Sequence, residues 1–375
     1  MERNAQQTNT MRPASTPLFP IVGIGASAGG LEAFTQMLEH LPARTGMAYV
    51  LVQHLDPAHK SLLADLLSRA TQMEVREARD GLIIEADHVY VIPPNADMTL
   101  AQGVLTLVPQ TKTDGQHLSI DTFLRSLAES QAERAIGVIL SGAATDGTRG
   151  LQAIKAQGGM TLAQDVHSAT FSSMPQSAIT AGCVDFIGSP EQIARELTRM
   201  SRHPHVRQPQ VVETDEAESA PPMQGQGLPA EEGEFQRILR VLHRRTEVDF
   251  TAFKPTTLKR RILRRMVLSQ MNSFAGYLSY LSDHQAEVED LYQDVLIGVT
   301  SFFRDPSSFA MLGHEVFPRL VETKSARSPI RVWVPGCSTG EEVYSLAICL
   351  LEFLAERSLT LPIQLFGTDL NLSLI

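Results

Sequence analysis

Three short apolar runs in the first half of the chain each give way to a polar residue. Ile21-Val-Gly-Ile-Gly25 leads into Ala26-Ser27-Ala28-Gly29-Gly30. Ala48-Tyr-Val-Leu-Val-Gln53 stops at His54. Ala135-Ile-Gly-Val-Ile-Leu140 leads into Ser-Gly-Ala-Ala-Thr-Asp146-Gly147. Near-continuous apolar runs of this length predict buried strands of a parallel sheet. A helix is predicted over residues 31–41. Open parallel α/β sheets carry their chemistry beyond the carboxyl ends of their strands. A serine, a histidine and a carboxylate at three such ends can form a nucleophile, base and orienter.

The second half has a different rhythm. Phe235, Ile238, Leu239 and Leu242 recur at helical spacing. Pro255 opens a basic helix with an apolar stripe of Leu258, Ile262 and Met266, flanked by Arg260, Arg261, Arg264 and Arg265. Further helices are predicted over residues 273–282 and 285–297. Residues 330–335 read as a strand running into Gly336-Cys-Ser-Thr-Gly340-Glu341-Glu342, then a helix over 343–355. Residues 361–366 read as a second strand, ending at Gly367-Thr-Asp369. Strand, glycine turn and helix make a ligand-binding unit, and an acid after the second strand can hold a ribose diol. Between the halves, residues 201–233 are acidic and rich in proline, glycine and glutamine, which predicts a flexible tether with His203 and His205 solvated.

Composition narrows the reading. The chain has 375 residues, 43% hydrophobic and 20% charged, enough for two or three domains with real cores. Its formal net charge of −10 argues against wholesale nucleic-acid binding. The basic helix reads first as a solvated face and second as a site for an acidic protein surface. Nucleic acid comes last, because aromatic interleaving is missing. Cys183, Cys337 and Cys349 show no metal or disulfide spacing, which suits a reducing cytoplasm. No run is long and apolar enough to span a membrane, and residues 1–18 read as a polar, disordered start without a signal-peptide core.

Two chemistries compete at the first strand. Gly25-Ala-Ser27-Ala-Gly29 fits G-x-S-x-G, a sharp turn that lifts a serine hydroxyl out of the backbone. Gly23-x-Gly25-x-x-Ala28 also fits a dinucleotide fingerprint, but the second strand ends in Gln53-His54 rather than in the acid a ribose needs. A structural glycine turn is the third reading.

The surrounding motifs favour the hydrolase. G-A-S-A-G-G at 25–30, V-Q-H at 52–54, V-I-P-P-N-A-D-M at 91–98, G-V-I-L-S-G-A-A-T-D-G at 137–147 and M-P-x-S-A at 174–178 occur together. In order and spacing, residues 19–200 resemble the catalytic domain of chemotaxis protein-glutamate methylesterases, the CheB type. The resemblance implies a doubly wound parallel sheet with helices on both faces. It implies Ser27 as nucleophile, His54 as base, Asp146 as third member, and backbone N–H groups near Ala28 and Ala143 as oxyanion donors. Ala143 stands where that family commonly has methionine. No cofactor is expected for the esterase, and Met98 and Met174 read as packing residues.

Residues 234–375 carry a second resemblance. T-S-F-F-R-D at 300–305, V-W-V-P-G-C-S-T-G-E-E-V-Y-S-L-A at 332–347 and G-T-D-L at 367–370 are similar to chemotaxis receptor methyltransferases, the CheR type. This implies a helical module over 234–320 and, over 321–375, an incomplete Rossmann-like sheet binding S-adenosylmethionine. By motif, Thr300, Arg304, Glu342 and Asp369 would contact that ligand, and the basic helix would meet the acidic methylation region of a receptor. Gly298 and Val343 stand where asparagine and proline are common. The sequence stops at Ile375 after two predicted strands, so the expectation is a partial transferase, and no phosphoacceptor receiver domain is expected ahead of residue 19.

The functional expectation is a cytoplasmic, fused protein. It would hydrolyse glutamyl methyl esters, and deamidate glutamines, on chemotaxis receptors or related signalling proteins. No nucleic acid and no membrane insertion are expected. The alternative is a non-catalytic regulatory or binding module.

Overall fold

A computed structural model describes residues 17, 19–54, 62–109, 118–207, 229–250, 253–296, 300, 302–322 and 328–371. The expected disordered start and Gly298 lie outside them, apart from Pro17. Packing divides the chain into two compact units, Met1–Val288 and Glu289–Ile375.

In the first unit the strands are β1 (Ile21–Ala26), β2 (Ala48–Gln53), β3 (Glu74–Glu77), β4 (Leu82–Ile83), β5 (His88–Val91), β6 (Ala96–Ala101), β7 (Val104–Pro109), β8 (Ala135–Ile139), β9 (Met160–Gln164) and β10 (Phe186–Gly188). The helices among them are α1 (Gly30–Glu39), α2 (Leu63–Leu67), α3 (Ser119–Gln131), α4 (Thr148–Ala156), α5 (Ser173–Thr180), α6 (Pro190–Ser201) and α7 (Pro204–Arg207). Seven strands form one parallel sheet in the order β10-β9-β8-β1-β2-β5-β3, while β4, β7 and β6 form a small antiparallel sheet. The chain winds outward from β1 through β2 and later, from β8, in the other direction. The order therefore reverses between β1 and β8, the place where such sheets open a crevice.

Strand alternation sorts the core into two layers. Val22, Ile24, Tyr49 and Leu51 face one side, with Phe34 and Met37 of α1 and Ile193 and Leu197 of α6. Ile21, Val50 and Val52 face the other, with Phe123 and Leu124 of α3 and Leu151 of α4. Gly23 explains why β1 is glycine-rich. A Cβ there would come within 2.7 Å of Leu124, so the glycine lets α3 lie against the strand. That close helix contact, rather than a phosphate, accounts for the dinucleotide-like spacing.

The helices that follow are α8 (Pro229–Thr246), α9 (Pro255–Leu268), α10 (Phe274–Asp283) and α11 (Gln285–Val295). The predicted tether is shorter than its sequence suggested. α6 reaches Ser201, α7 spans Pro204–Arg207 and α8 starts at Pro229, and residues 208–228 lie outside the described ones. His203 is not solvated: it is 5% exposed, and its Nε2 donates to the Met271 carbonyl at 3.0 Å. Proline at the first helical position lets α7 form where composition alone read as coil.

The second unit holds α12 (Pro306–Met311), α13 (Phe317–Glu322), β11 (Ile330–Pro335), α14 (Glu341–Glu356) and β12 (Ile363–Thr368). The helical domain expected over 234–320 is thus shared between the two units. β11 and β12 pair in parallel. Phe317, Ile330, Leu350, Phe353 and Leu354 make the core of this unit, while Trp333 and Phe366 are 67% and 52% exposed.

Candidate active site

Ser27, His54 and Asp146 come together beyond the carboxyl ends of β1, β2 and β8. The turn that presents Ser27 is built by glycine. Gly29 has φ 73°, and a Cβ on it would lie 2.7 Å from Ser141 Oγ. The Ser27 N–H donates to the Ser141 carbonyl at 3.0 Å, and the Gly30 N–H donates back to the Ser27 carbonyl at 2.9 Å. Ser141 Oγ donates to the Ala28 carbonyl at 2.8 Å and accepts from the Phe171 N–H at 3.0 Å. Ser141 is itself held by Gln164, whose Oε1 accepts its N–H at 2.8 Å. The Ser27 turn is thereby tied across the switch point to the ends of β8 and β9.

The histidine lies between the other two groups. His54 Nδ1 is 3.3 Å from Ser27 Oγ, and His54 Nε2 is 2.8 Å from Asp146 Oδ2. A carboxylate only accepts, so the ring proton sits on Nε2 and Nδ1 turns its lone pair to the serine. Asp146 is 2% exposed and fully engaged by α3. The Ile120 N–H donates to Oδ2 at 3.0 Å and the Asp121 N–H to Oδ1 at 2.9 Å. These are N–H groups of the first turn of a helix, which have no intrahelical acceptor and stabilise negative charge.

Asp121 lies just behind this carboxylate. Burial raises the Asp121 carboxyl to about 6; the Gly150 N–H, 2.7 Å from its Oδ1, opposes that rise, and the charge of Asp146 adds to it. The backbone N–H groups of Ala28 and Ala143 donate to no acceptor among the described residues. They are among the N–H groups without such an acceptor in the two loops beside Ser27, and groups of this kind can stabilise an oxyanion. An open groove lined by Ser27, Gly29, Leu31, Gln36, Gln53 and His54 runs from the serine along α1. Met98 and Met174 are fully buried and pack in the core. A serine hydroxyl, an imidazole oriented by a carboxylate and nearby backbone N–H donors can carry out acyl transfer by way of a covalent ester.

Sequence reasoning did not single out Ser141, Gln164 or the start of α3. Ser141 lay inside the S-G-A-A-T-D stretch, and Gln164 ends a run, Thr-Leu-Ala-Gln, with the same strand-end placement as Gln53.

In the second unit two of the expected ligand residues, Asp369 and Glu342, lie at the turn between β11 and α14. Asp369 Oδ2 accepts the Ser338 N–H at 2.7 Å, and its Oδ1 accepts the Asn371 N–H at 2.8 Å. Glu342 is exposed in the first turn of α14. The Phe303 N–H, next to Arg304 in the chain, donates to Ser345 Oγ of that helix at 3.0 Å. Gly336 and Gly340 adopt φ 70° and 94°, and a Cβ on Gly336 would meet nothing within 4 Å.

Comparisons with known proteins follow the same division. The family model for CheB methylesterase matches residues 22–197. The all-alpha domain of CheR methyltransferase matches 233–296, and its SAM binding domain matches 298–375. An uncharacterized 104.1 kDa protein of Rhodobacter capsulatus is 36% identical over 321 residues, covering 82% of this chain and 33% of that protein. A protein-glutamate methylesterase/protein-glutamine glutaminase of Desulfotalea psychrophila is 34% identical over 183 residues, covering 47% of this chain and 50% of its own length. The chain thus spans a third to a half of these curated relatives. A relative from Leptospira interrogans, grouped under the same enzyme name, is 32% identical over 186 residues; these are 49% of this chain and 96% of that protein. The crystal structure of the Thermotoga maritima CheB methylesterase catalytic domain aligns over 48% of this chain and 98% of its own, at 29% identity and a TM-score of 0.46. Through residues 22–197 the chain belongs to the CheB methylesterase family, and CheR-type methyltransferase domains follow in the same polypeptide.

Proposed function

We propose that the first unit is a serine-type protein-glutamate methylesterase acting on a methyl-accepting chemotaxis receptor or a similar signalling protein. The observation that carries this reading is the hydrogen-bonded series from Ser27 through His54 to Asp146 at the point where the strand order reverses. Ser27 Oγ attacks the ester carbonyl while His54 Nδ1 takes its proton. Asp146 holds the imidazole in the productive tautomer. The Ala28 and Ala143 N–H groups hold the oxyanion of the tetrahedral intermediate. His54 returns the proton to the departing methoxy oxygen, and methanol leaves. Water, deprotonated by His54, then releases glutamate and restores Ser27. A glutamine amide follows the same route with ammonia leaving, in line with the glutaminase activity in the relatives' names.

In this reading the second unit carries residues of an S-adenosylmethionine site. Asp369 would hold the ribose, Glu342 the ammonium and Arg304 the carboxylate of the methionine part, and Thr300 would add a further contact. The open, positive-φ turn at Gly336 fits close approach of a ligand. When bound, that ligand supplies an electrophilic methyl group for a glutamate carboxylate. No described helix is long and apolar enough to cross a membrane. The thiols of Cys183, Cys337 and Cys349 are free, which supports a cytoplasmic setting.

Methanol release from methylated receptor tests the esterase reading. Ser27→Ala lowers kcat by roughly 10⁶ if the three residues act as a unit. Near-wild-type turnover by a folded Ser27→Ala protein overturns it.

A further inference from the structure

The basic helix α9 was expected to present its arginines to solvent or to an outside acidic protein. The structure places two of them elsewhere. Arg261 and Arg264 are 6% and 4% exposed. Arg264 Nη2 donates to Asp185 Oδ2 at 2.5 Å, and its Nε donates to the Gly159 carbonyl at 2.9 Å. Arg261 donates to the Lys155 and Ala156 carbonyls at 2.8 and 2.5 Å. Those are carbonyls at the end of α4, where a helix has unsatisfied acceptors and a partial negative charge. All four acceptors belong to the esterase part of the chain.

The contact is apolar as well as ionic. Val267 belongs to the same buried cluster as Phe34, Met160 and Ile193, and Leu268 and Val206 pack on it. His203 adds its bond to the Met271 carbonyl just beyond α9. On the esterase side Asp185 is built to receive a cation. It also accepts from Thr161 N and Oγ1, at 2.9 and 2.8 Å, and lies 3.3 Å from Lys155 Nζ. Burial alone would raise its carboxyl, but Arg264 and Lys155 reverse this and hold it below the usual carboxylate range.

We propose that the basic face of α9 is a docking surface whose partner is this chain's own esterase domain, and that it holds the two as one body in solution. A guanidinium whose side chain is 1% exposed cannot reach an external acid while docked. The second arginine caps a helix end, which a solvated or receptor-facing side chain would not do. Two long side chains with complementary acceptors, beside shared apolar packing, distinguish this contact from an exposed charge pair.

Pulsed electron resonance between spin labels tests it in the full 375-residue chain. Labels go on exposed positions, Gln72→Cys in the esterase and Ser282→Cys at the end of α10, with Cys349→Ser to keep the reaction selective. The docked arrangement gives one narrow distance. The pair Arg261→Met and Arg264→Met broadens the distribution about twofold or more, as relative domain motion is the default without a sound interface. Arg260→Met leaves it narrow, because Arg260 is 36% exposed and 3.9 Å from Glu133. A broad distribution in the parent chain, or an unchanged narrow one in the double methionine variant, overturns the proposal. Far-ultraviolet circular dichroism on the same samples shows whether the helices and sheet persist, so undocking and unfolding give different results.

Discussion

Replacing Asp146 by asparagine changes only one atom of a buried group, yet the geometry leaves that group no good choice. Asp146 accepts three hydrogen bonds: from His54 Nε2 and the Ile120 N–H on Oδ2, and from the Asp121 N–H on Oδ1. An asparagine has one accepting oxygen and one donating nitrogen. With the oxygen toward His54, its amide hydrogens meet the Asp121 N–H, donor against donor. With the nitrogen toward His54, they meet the Ile120 N–H and force His54 Nε2 to accept. The ring proton then sits on Nδ1, facing Ser27, where a lone pair is needed. The first arrangement leaves a buried donor unpaired, costing about 1–3 kcal/mol of stability. The second disables the base, and such a tautomer change costs about 10⁴ in kcat, or about 5.4 kcal/mol of barrier. In both cases the imidazolium formed during attack loses its counter-charge. The assay is methanol release under saturating methylated receptor, with thermal unfolding measured alongside. An Asp146→Asn protein with kcat within tenfold of the parent and an unchanged melting temperature refutes the reasoning.

Three further outcomes are expected. Gly29→Ala puts a Cβ at φ 73° and 2.7 Å from Ser141 Oγ, so stability falls by about 1–2 kcal/mol and kcat drops on the order of tenfold as the serine turn shifts; unaltered kinetics would show that Ser141 does not hold the turn. Asp121 is raised from 3.8 to about 6, so the folded state binds its proton more tightly, and stability falls as pH rises between about 4 and 6, by up to about 3 kcal/mol. Asp121→Asn keeps an acceptor for the Gly150 N–H, so calorimetric melting across pH 4–8 is expected to lose that slope and to rise at pH 8. His205, lowered from 6.5 to about 4 by burial and then by His203 and Lys259, acts with the opposite sign. The stability it contributes is complete above pH 6.5 and lost as pH falls toward 4, so His205→Phe should flatten the acid side of the melting curve.

Much of the candidate site was legible because strand patterning is local. An apolar run of five or six residues predicts a buried strand, and the next polar residue then lies at its end, as for Ser27 after Ala26 and His54 after Gln53. Ser141 and the start of α3 escaped notice because their roles are made by backbone groups. Nothing in Ile120-Asp121 says that two N–H groups will converge on a carboxylate 26 and 25 residues away.

The basic helix marks the boundary between what a sequence determines and what packing decides. Its helical period, its apolar stripe and its charge are properties of neighbouring residues, and all were readable from residues 255–268. Whether Arg264 faces water or a buried carboxylate depends on Asp185, 79 residues away, and on the corner formed by Gly159 and α4. Charge by itself predicts exposure, because desolvating a guanidinium is costly. Only the tertiary fold supplies the acid, the helix end and the apolar neighbours that offset that cost. The same holds for His203, which composition assigned to a solvated tether and which Met271, 68 residues on, draws into the core.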